Sequence, residues 1–339
     1  MTVIYMTARE GLIVVTGRGD SGWHAELRLD GREVQSVAAD PLRPELAYCG
    51  TFGDGAFRSD DAGVTWRRAG GIAHGKVMSL AVSPVERANS RGIVFAGTEP
   101  SSVFRSEDGG ERWHELTELT ELPSSNEWSF PPRPQTHHVR HIQPDPHAAG
   151  RLYVAIEAGA LVRTDDAGRT WRDRVPGGPL DTHTLATHPA APGRLYSAAG
   201  DGYFESRDGG DTWQQPADGL RHGYLWGLAV DPADPDALVV TAAPGPRQAH
   251  YEPAESVVYC RATGGPWRET RAGLPASTGR HVALVAAHPA EPGVFFLAWE
   301  AELYRSADGG RSWGQLGVEW PAGRRPSHGG WGLAVAEIG

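Results

Sequence analysis

The sequence predicts an all-β protein, a seven-bladed β-propeller of four-stranded blades, and three observations predict it. A tryptophan recurs seven times at intervals of 42 to 58 residues. This period is typical of propellers, in which each repeat is one small sheet that buries its faces against its neighbours. Short apolar segments ended by Pro recur between the tryptophans, and long helical periodicity is absent. The tryptophans are Trp23, Trp66, Trp113, Trp171, Trp213, Trp267 and Trp313.

Five of these tryptophans end the same short motif, whose pattern is S/T-x-D-x-G-x-T-W. In two of the five copies another residue replaces the Thr before the Trp. A Ser or Thr and an Asp suit the hydrogen bonding of a tight turn, Gly takes a positive φ, and Trp packs between sheets. We therefore interpret the Asp residues as structural rather than as calcium ligands or catalytic acids. The copies are SDDAGVTW from Ser59, SEDGGERW from Ser106, TDDAGRTW from Thr164, SRDGGDTW from Ser206 and SADGGRSW from Ser306.

The order of strands within each repeat predicts how the ring closes. Each repeat reads as an inner strand ending in Pro, an aromatic-bearing second strand, a third strand entering the motif and an outer strand after its Trp. The first repeat begins at its second strand, TVIYMTA from Thr2, and WGLAV from Trp331 repeats the inner strand at Trp226. We therefore expect residues 331–336 to pair beside residues 2–8 and to close one domain spanning residues 1–339.

The repeated motif resembles the Asp-box, and the chain is similar to the Asp-box (BNR) repeat propellers. These include sialidases, xyloglucan-degrading glycosidases, sortilin-type receptors and a photosystem II assembly factor. The resemblance implies a propeller and favours a glycoside hydrolase-like function. It excludes a sialidase proper, which needs an arginine triad and usually an R-I-P element. The R-I-P element is absent, and outside the two insertions described next the mouth arginines are Arg9, Arg140 and Arg280.

Composition narrows the class of protein further. The 339 residues carry a net charge of −10, which disfavours binding to nucleic-acid phosphates. Two cysteines, Cys49 and Cys260, lie in distant repeats and predict no disulfide framework. The N-terminus lacks the pattern of a secretory leader, and no long apolar run follows. We therefore expect a cytoplasmic protein with no membrane or nucleic-acid partner, and the oligomeric state stays open.

Two insertions explain the two longest intervals between tryptophans, and topology places both on one face of the ring. They are Thr117–Gln135, before an inner strand, and Ala242–Glu255, between a second and a third strand. Long loops in a compact domain are usually functional or disordered. The tryptophans outside the motifs map to the same face, where we expect exposed loop tryptophans; they are Trp128, Trp226, Trp299, Trp320 and Trp331.

The inner strand of blade 4 breaks the repeat. Aligned on the terminal Pro, five sister strands place Val or Leu at the position of Arg140 and Ala at that of His141. A cation and an imidazole there need partners or water, and local rules fail most often at functional sites. With His138 nearby, this strand is the strongest indication of a site. The alternative is that Arg140 pairs with a neighbouring carboxylate and fills a wide channel.

Other polar and aromatic residues map to the same mouth of the channel. Each residue alone is weak evidence for a site, because polar loop tips normally face solvent. Together the residues have the composition of a ligand site. From the inner strands and the residues before them come Lys76, Asp181, His183, Tyr224, His281 and His328; from the loop tips come Arg9, Glu99, Glu157, Asp201 and Glu300.

Three function classes remain open. The favoured one is a glycoside hydrolase-like propeller that acts on or binds a small, carbohydrate-like ligand, with Glu99 and Glu157 as acid/base candidates. Arg140 would supply a fixed positive charge, and His138 and His183 a proton-transfer pair. The second class is a metal-dependent lyase or oxygenase, in which His138 and His183 bind a divalent metal. The third is a non-catalytic binding or assembly propeller. In each, the apolar walls would be Trp226, Trp299 and Trp331.

Overall fold

The structure is a computed structural model that describes residues 1–19, 21–72, 75–300, 302–321 and 331–339. Seven antiparallel sheets follow one another along the chain. Each innermost strand contacts the innermost strands of the blades before and after it, and the last returns to the first. The predicted seven-bladed propeller is therefore confirmed. Helical structure in the described residues is confined to Pro246–His250 and two 3-10 turns, Thr117–Glu121 and Pro123–Glu127.

Short, β-branched strands line the axis because a narrow channel needs small, flat sheets with alternating faces. The innermost strands, from blade 1 to blade 7, are Leu333–Glu337, Val34–Asp40, Val77–Ala88, Val139–Pro144, Thr182–Thr187, Tyr224–Val230 and Leu284–Ala287. The second strands are Thr2–Ala8, Arg43–Thr51, Arg91–Thr98, Leu152–Ile156, Leu195–Ala199, Leu238–Ala243 and Phe295–Trp299.

The outer half of each blade is shorter and more exposed. The third strands are Gly11–Arg18, Ala56–Ser59, Val103–Ser106, Ala160–Thr164, Gly202–Ser206, Val257–Arg261 and Glu302–Ser306. The outer strands are Ser21–Arg28, Arg67–Arg68, His114–Glu115, Arg268–Thr270 and Gly314–Gln315. In blades 4 and 5 the fourth strand shrinks to a single bridge, Arg163 to Arg172 and Glu205 to Gln214.

The C-terminal strand closes the ring in the N-terminal blade, as expected. It pairs antiparallel with Thr2–Ala8, from Thr2 opposite Glu337 to Met6 opposite Leu333. The Met1 amine donates to the Glu337 carboxylate at 2.7 Å. A fifth strand, Val318–Glu319, adds in parallel outside the blade, which the repeat does not predict. No helix in the described ranges is long and apolar enough to cross a membrane.

The motif turns hold their polar groups within a few residues of chain. In all five copies the first hydroxyl accepts the Gly N–H four residues on at 2.8–2.9 Å. The Asp carboxylate accepts the N–H of the residue before the Trp at 2.8–2.9 Å. Burial acts to raise the pKa of most of these carboxyls, and the hydrogen bonds lower it below the usual value in all five.

The loop tryptophans do not form the exposed set that the sequence suggested. Trp128 and Trp299 are buried, and Trp320 is half-buried. Trp128 packs in the core shared by blades 3 and 4, and its indole donates to Ser124 Oγ at 3.0 Å. Trp299 packs between blades 6 and 7 and donates to the His281 carbonyl at 2.8 Å. The expectation of exposed tryptophans is wrong here because the first insertion folds back onto blades 3 and 4 and buries Trp128, whereas Trp299 ends a strand of blade 7 and packs against blade 6.

Candidate functional site

Both insertions reach the same mouth of the channel. Arg133, from the first, forms an ion pair with Glu99 at the tip of blade 3. His250, in the helix of the second, packs edge-on against Trp226 with ring centroids 4.6 Å apart, and it also contacts Trp331. The mouth is therefore covered from two sides by segments that the other blades lack.

Arg140 crosses the channel from blade 4 and lies against aromatic rings of other blades. Its guanidinium carbon lies 4.5 Å from the centroid of Trp226 and 5.4 Å from that of Trp331. Its Nε lies 3.6 Å from a Glu157 carboxylate oxygen. The side chain is 9% exposed, so these aromatic and ionic contacts replace most of its water. The carboxylate partner foreseen as the alternative role of Arg140 is thus present, together with the two tryptophans.

A buried chain of charges runs from Glu157 through His138 to Glu99. His138 Nε2 lies 2.7 Å from Glu157 Oε2, and its Nδ1 lies 3.8 Å from Glu99 Oε2. Burial would raise the pKa of Glu157, but the His138 hydrogen bond and the charges of His138 and Arg140 hold it well below its usual range. An ionised carboxylate only accepts hydrogen bonds, so His138 Nε2 carries the proton that it donates.

Glu99 is held by cations from two loops. Lys76 Nζ donates to its Oε1 at 2.9 Å, and Arg133 donates to its Oε2. Both cations also lie over the ring of Phe52. Burial acts to raise the pKa of Glu99, which is 2% exposed, but these two donors lower it below its usual value. Both predicted acid/base carboxylates are therefore ionised at neutral pH, a state that suits a base or a hydrogen-bond acceptor and not a proton donor.

A cavity of about 120 Å³ opens among these groups. Three buried nitrogens of the residues that line it have no hydrogen-bond partner within the described part of the chain: Arg133 Nε, His138 Nδ1 and Arg140 Nε. Buried polar atoms are normally paired, so the cavity offers hydrogen-bonding capacity that the protein leaves unused. Its lining includes Phe52, Phe130, Arg133, His138, Arg140, Glu157 and Trp331.

On blade 5 a second polar group meets the other side of Glu157. His183 Nδ1 lies 2.6 Å from the Leu225 carbonyl, and its Nε2 faces Asp181 Oδ2 at 3.5 Å. One ligand atom each from Glu157, Asp181 and His183 lies within 4.8 Å of the others. Burial and the charges of Glu157 and Asp181 raise the pKa of Tyr224, whose hydroxyl is 3.5 Å from His183 Nε2. Glu157 therefore joins His138 and His183, the two histidines predicted to act together.

Other predicted site residues lie elsewhere. His141 lines the channel below the mouth, where burial and the Arg140 charge lower its pKa to about 4. His281 and Glu300 pair with each other on blade 7 at 3.0 Å. Trp299 is a core residue and no wall of the cavity, because it packs between two blades. The prediction for His328 concerns a residue outside the described ranges.

The sequence does not single out four residues of the mouth: Phe52, Phe130, Arg133 and His250. The last three lie in the insertions, which have no counterpart in the other repeats and therefore no alignment column to mark a departure. The weak signal available was the clustering of aromatic and basic residues within both insertions. Arg133 in particular was set aside when mouth arginines were counted outside them.

Known proteins similar in sequence to the chain include two xyloglucanases. No model of a known protein family matches it. It is 26% identical over 258 residues to xyloglucanase Xgh74A of Acetivibrio thermocellus, covering 62% of this chain and 29% of that protein. It is 22% identical over 363 residues to a probable oligoxyloglucan-reducing end-specific xyloglucanase of Neosartorya fischeri, covering 89% and 41%. The chain therefore spans less than half the length of either relative.

Solved structures with the same fold include two GH74 enzymes. The Niastella koreensis GH74 enzyme has a TM-score of 0.70 at 18% identity, over 92% of this chain and 52% of that one. The GH74 xyloglucanase of Xanthomonas campestris has a TM-score of 0.64 at 20% identity, over 83% and 45%. YCF48 bound to D1 peptide has a TM-score of 0.57 at 19% identity, over 83% and 81%. At these identities the likeness shows the fold alone.

Proposed function

We propose that this protein is a glycoside hydrolase-like Asp-box propeller that binds a short oligosaccharide in the mouth cavity between blades 1, 2, 3 and 4. The observation that carries the proposal is a cavity lined both by aromatic rings and by Arg133, His138 and Arg140, each of which has a buried nitrogen without a hydrogen bond. Sugar hydroxyls can accept from a guanidinium and exchange hydrogen bonds with an imidazole, and the C–H faces of sugar rings pack on aromatic side chains.

The charges in the mouth favour a neutral, hydroxyl-rich ligand. Lys76 and Arg133 are paired with Glu99, and Arg140 lies beside Glu157. An anionic ligand would have to displace one of these carboxylates, whereas a sugar can hydrogen-bond to both members of a pair. The cavity has room for roughly four water molecules, so it takes one end of the ligand while the remainder lies in the open mouth. The xyloglucanase relatives support a glucan-type ligand.

Hydrolysis is the second candidate function, and the arrangement around His138 favours it. Two carboxylates flank one imidazole, with Glu157 hydrogen-bonded to it and Glu99 3.8 Å away. Because both carboxylates are ionised, the proton for a leaving-group oxygen would have to come from Nδ1–H of a doubly protonated His138, which would return to neutral imidazole and keep its Nε2–H on Glu157, while a carboxylate activates water. Binding requires none of this proton transfer, and it is therefore the primary proposal.

The test is calorimetric titration of the purified protein with xyloglucan oligosaccharides and cello-oligosaccharides, with release of reducing sugar measured in parallel. We expect binding by the wild type and its loss in Arg140→Met, since the guanidinium that faces the cavity is removed while the apolar stem remains. Thermal melts of each variant establish that the protein titrated is folded.

Arg163 provides the matched control. It lies in the same blade and is as buried as Arg140, but it pairs with Asp165 and Asp211 near the motif turns. Arg163→Met should lower stability and keep oligosaccharide binding. Undiminished binding by folded Arg140→Met, or no binding of any oligosaccharide by the wild type, would refute the proposal. Sugar release that depends on His138 would establish hydrolysis.

A further inference from the structure

We infer that Glu157, Asp181 and His183 form a binding site for one divalent transition-metal cation, at the blade 5 edge of the mouth. The site shares Glu157 with the mouth cavity, but Asp181 does not line that cavity, so changes at Asp181 test the metal separately from the oligosaccharide. Sequence reasoning had considered His138 and His183 together as metal ligands. The geometry instead combines His183 with two carboxylates, and it commits His138 Nε2 to Glu157.

The protonation of His183 is set by its surroundings. Its Nδ1 lies 2.6 Å from the Leu225 backbone carbonyl, which can only accept, so Nδ1 carries the proton. In the neutral ring Nε2 is then unprotonated and carries a lone pair. Donation of the other ring N–H to a backbone carbonyl is the usual arrangement of a metal-bound histidine, since it fixes the ring orientation and raises the basicity of the ligating nitrogen.

Three electron-pair donors consequently converge at one place. His183 is 2% exposed and Glu157 8% exposed, Asp181 is partly exposed, and the three ligand atoms lie within 4.8 Å of one another. Asp181 Oδ2 and the Tyr224 hydroxyl each lie 3.5 Å from His183 Nε2. Acceptors this close repel each other unless a cation or a shared proton lies between them. The 3.5 Å separation is long for an N–H···O hydrogen bond but ordinary for two ligands of one ion.

The surrounding chain holds Asp181 in this position. Its Oδ1 accepts the Ala158 N–H at 2.8 Å, which leaves Oδ2 to face His183. A Cβ on Gly200 would come within 2.0 Å of Asp181 Oδ2, so the glycine makes room for the carboxylate. A ligating oxygen supported by a backbone N–H is the pattern expected around a metal.

The donor set defines the class of cation. One imidazole nitrogen and two carboxylate oxygens suit Zn²⁺ or Mn²⁺, whereas Ca²⁺ and Mg²⁺ prefer ligand sets made of oxygen. Three protein ligands leave at least one coordination position for water or a ligand. Arg140, beside Glu157, offsets part of the negative charge, so the site has moderate affinity and takes one ion.

The test uses untagged protein stripped with a chelator and then titrated with Zn²⁺ and, separately, Mn²⁺ by calorimetry, with metal content determined by mass spectrometry. We expect one ion per chain for at least one of the two metals, and a raised melting temperature on binding. Asp181→Asn should weaken binding at least about tenfold, and it should fold, because the amide oxygen can still accept from Ala158.

Asp145→Asn is the matched control, since Asp145 is a buried carboxylate at the other end of the blade 4 inner strand, where its Oδ1 accepts the N–H of His147. It should bind metal like the wild type. Folded wild type that takes up neither ion, or Asp181→Asn that binds as tightly as the wild type, would overturn the inference and assign the cluster to a protonated His183. Oligosaccharide binding, measured on the same samples, is not expected to follow the Asp181 result.

Discussion

The motif turns and the channel mouth both contain carboxylates with lowered pKa values, but for different reasons. Each motif Asp is held by hydroxyl and N–H groups within four residues of it, as Asp61 is by Ser59 and Thr65. In the mouth, Glu99 is held by Lys76 and Arg133, which lie 23 and 34 residues away along the chain. The turns satisfy themselves locally, whereas the mouth depends on contacts between segments that occur once.

That difference separates structure from site. Hydrogen bonds within a single turn can be copied with each repeat, and the motif turn occurs in five copies. Because it serves the fold in every copy, it carries no information about function. A perturbed pKa is therefore a weak indicator on its own. What marks the mouth is the remainder, namely a cavity that aromatic rings and charged side chains of several blades line together, and three acceptors that face one another. The predictions below test whether changes in the motif turns affect stability alone, whereas changes in the mouth also affect oligosaccharide binding.

The largest effect is expected from Glu157→Gln. It leaves Arg140 buried beside a neutral amide and takes the charge from the acceptor of His138, so we expect the free energy of unfolding to fall by about 3–5 kcal/mol. Glu205→Gln is a matched change, because Glu205, on blade 5, is similarly buried and pairs with Arg261 of blade 6. Denaturant titration should show a comparable loss in both, while calorimetry shows oligosaccharide binding lost only in Glu157→Gln. Equal loss of binding in the folded Glu205 variant would erase the distinction between the regions.

Within the motif turns, burial predicts which tryptophan matters most. Trp313 is 5% exposed, whereas Trp66 is half-buried. Trp313→Ala should therefore lower the free energy of unfolding by about 3–5 kcal/mol and Trp66→Ala by clearly less, as measured by urea denaturation. Both variants should keep the wild-type affinity for oligosaccharide. If a folded Trp66→Ala protein no longer bound oligosaccharide, the binding surface would lie on the face of the motif turns and not at the mouth.

The smallest effect concerns acid pH. Hydrogen bonds from Thr170 and Thr164 lower the pKa of Asp166 from 3.8 to about 2. A carboxyl whose pKa is lower in the folded state contributes stability above its unfolded value, and this contribution disappears as the pH falls from about 4 towards 2. Asp166→Asn should therefore make the fall in melting temperature over that range slightly shallower than in the wild type. Parallel melting curves would show that the turn exerts no such effect.

Repetition decided how much could be predicted. The fold, the ring closure and the departure at Arg140 are visible because seven repeats supply an internal alignment, and the structure confirms the first two. Contacts outside the repeat were invisible: the aromatic partners of Arg140 come from blades 6 and 1, and Arg133 comes from an insertion. The burial of Trp128 depends on how the first insertion folds back, which no periodicity encodes.

Closure of the ring also has a consequence for the making of the protein. The N–H groups of Trp331 and Gly332 donate to Thr7 Oγ1 across 324 and 325 residues of sequence, and the last strand completes the first blade. During synthesis Thr2–Ala8 therefore keeps an open strand edge until its partner strand, Leu333–Glu337, has also been translated. Such an edge is a template for pairing with other chains. Folding of this propeller is thus governed at its final step by the contacts of longest sequence separation, which form slowly.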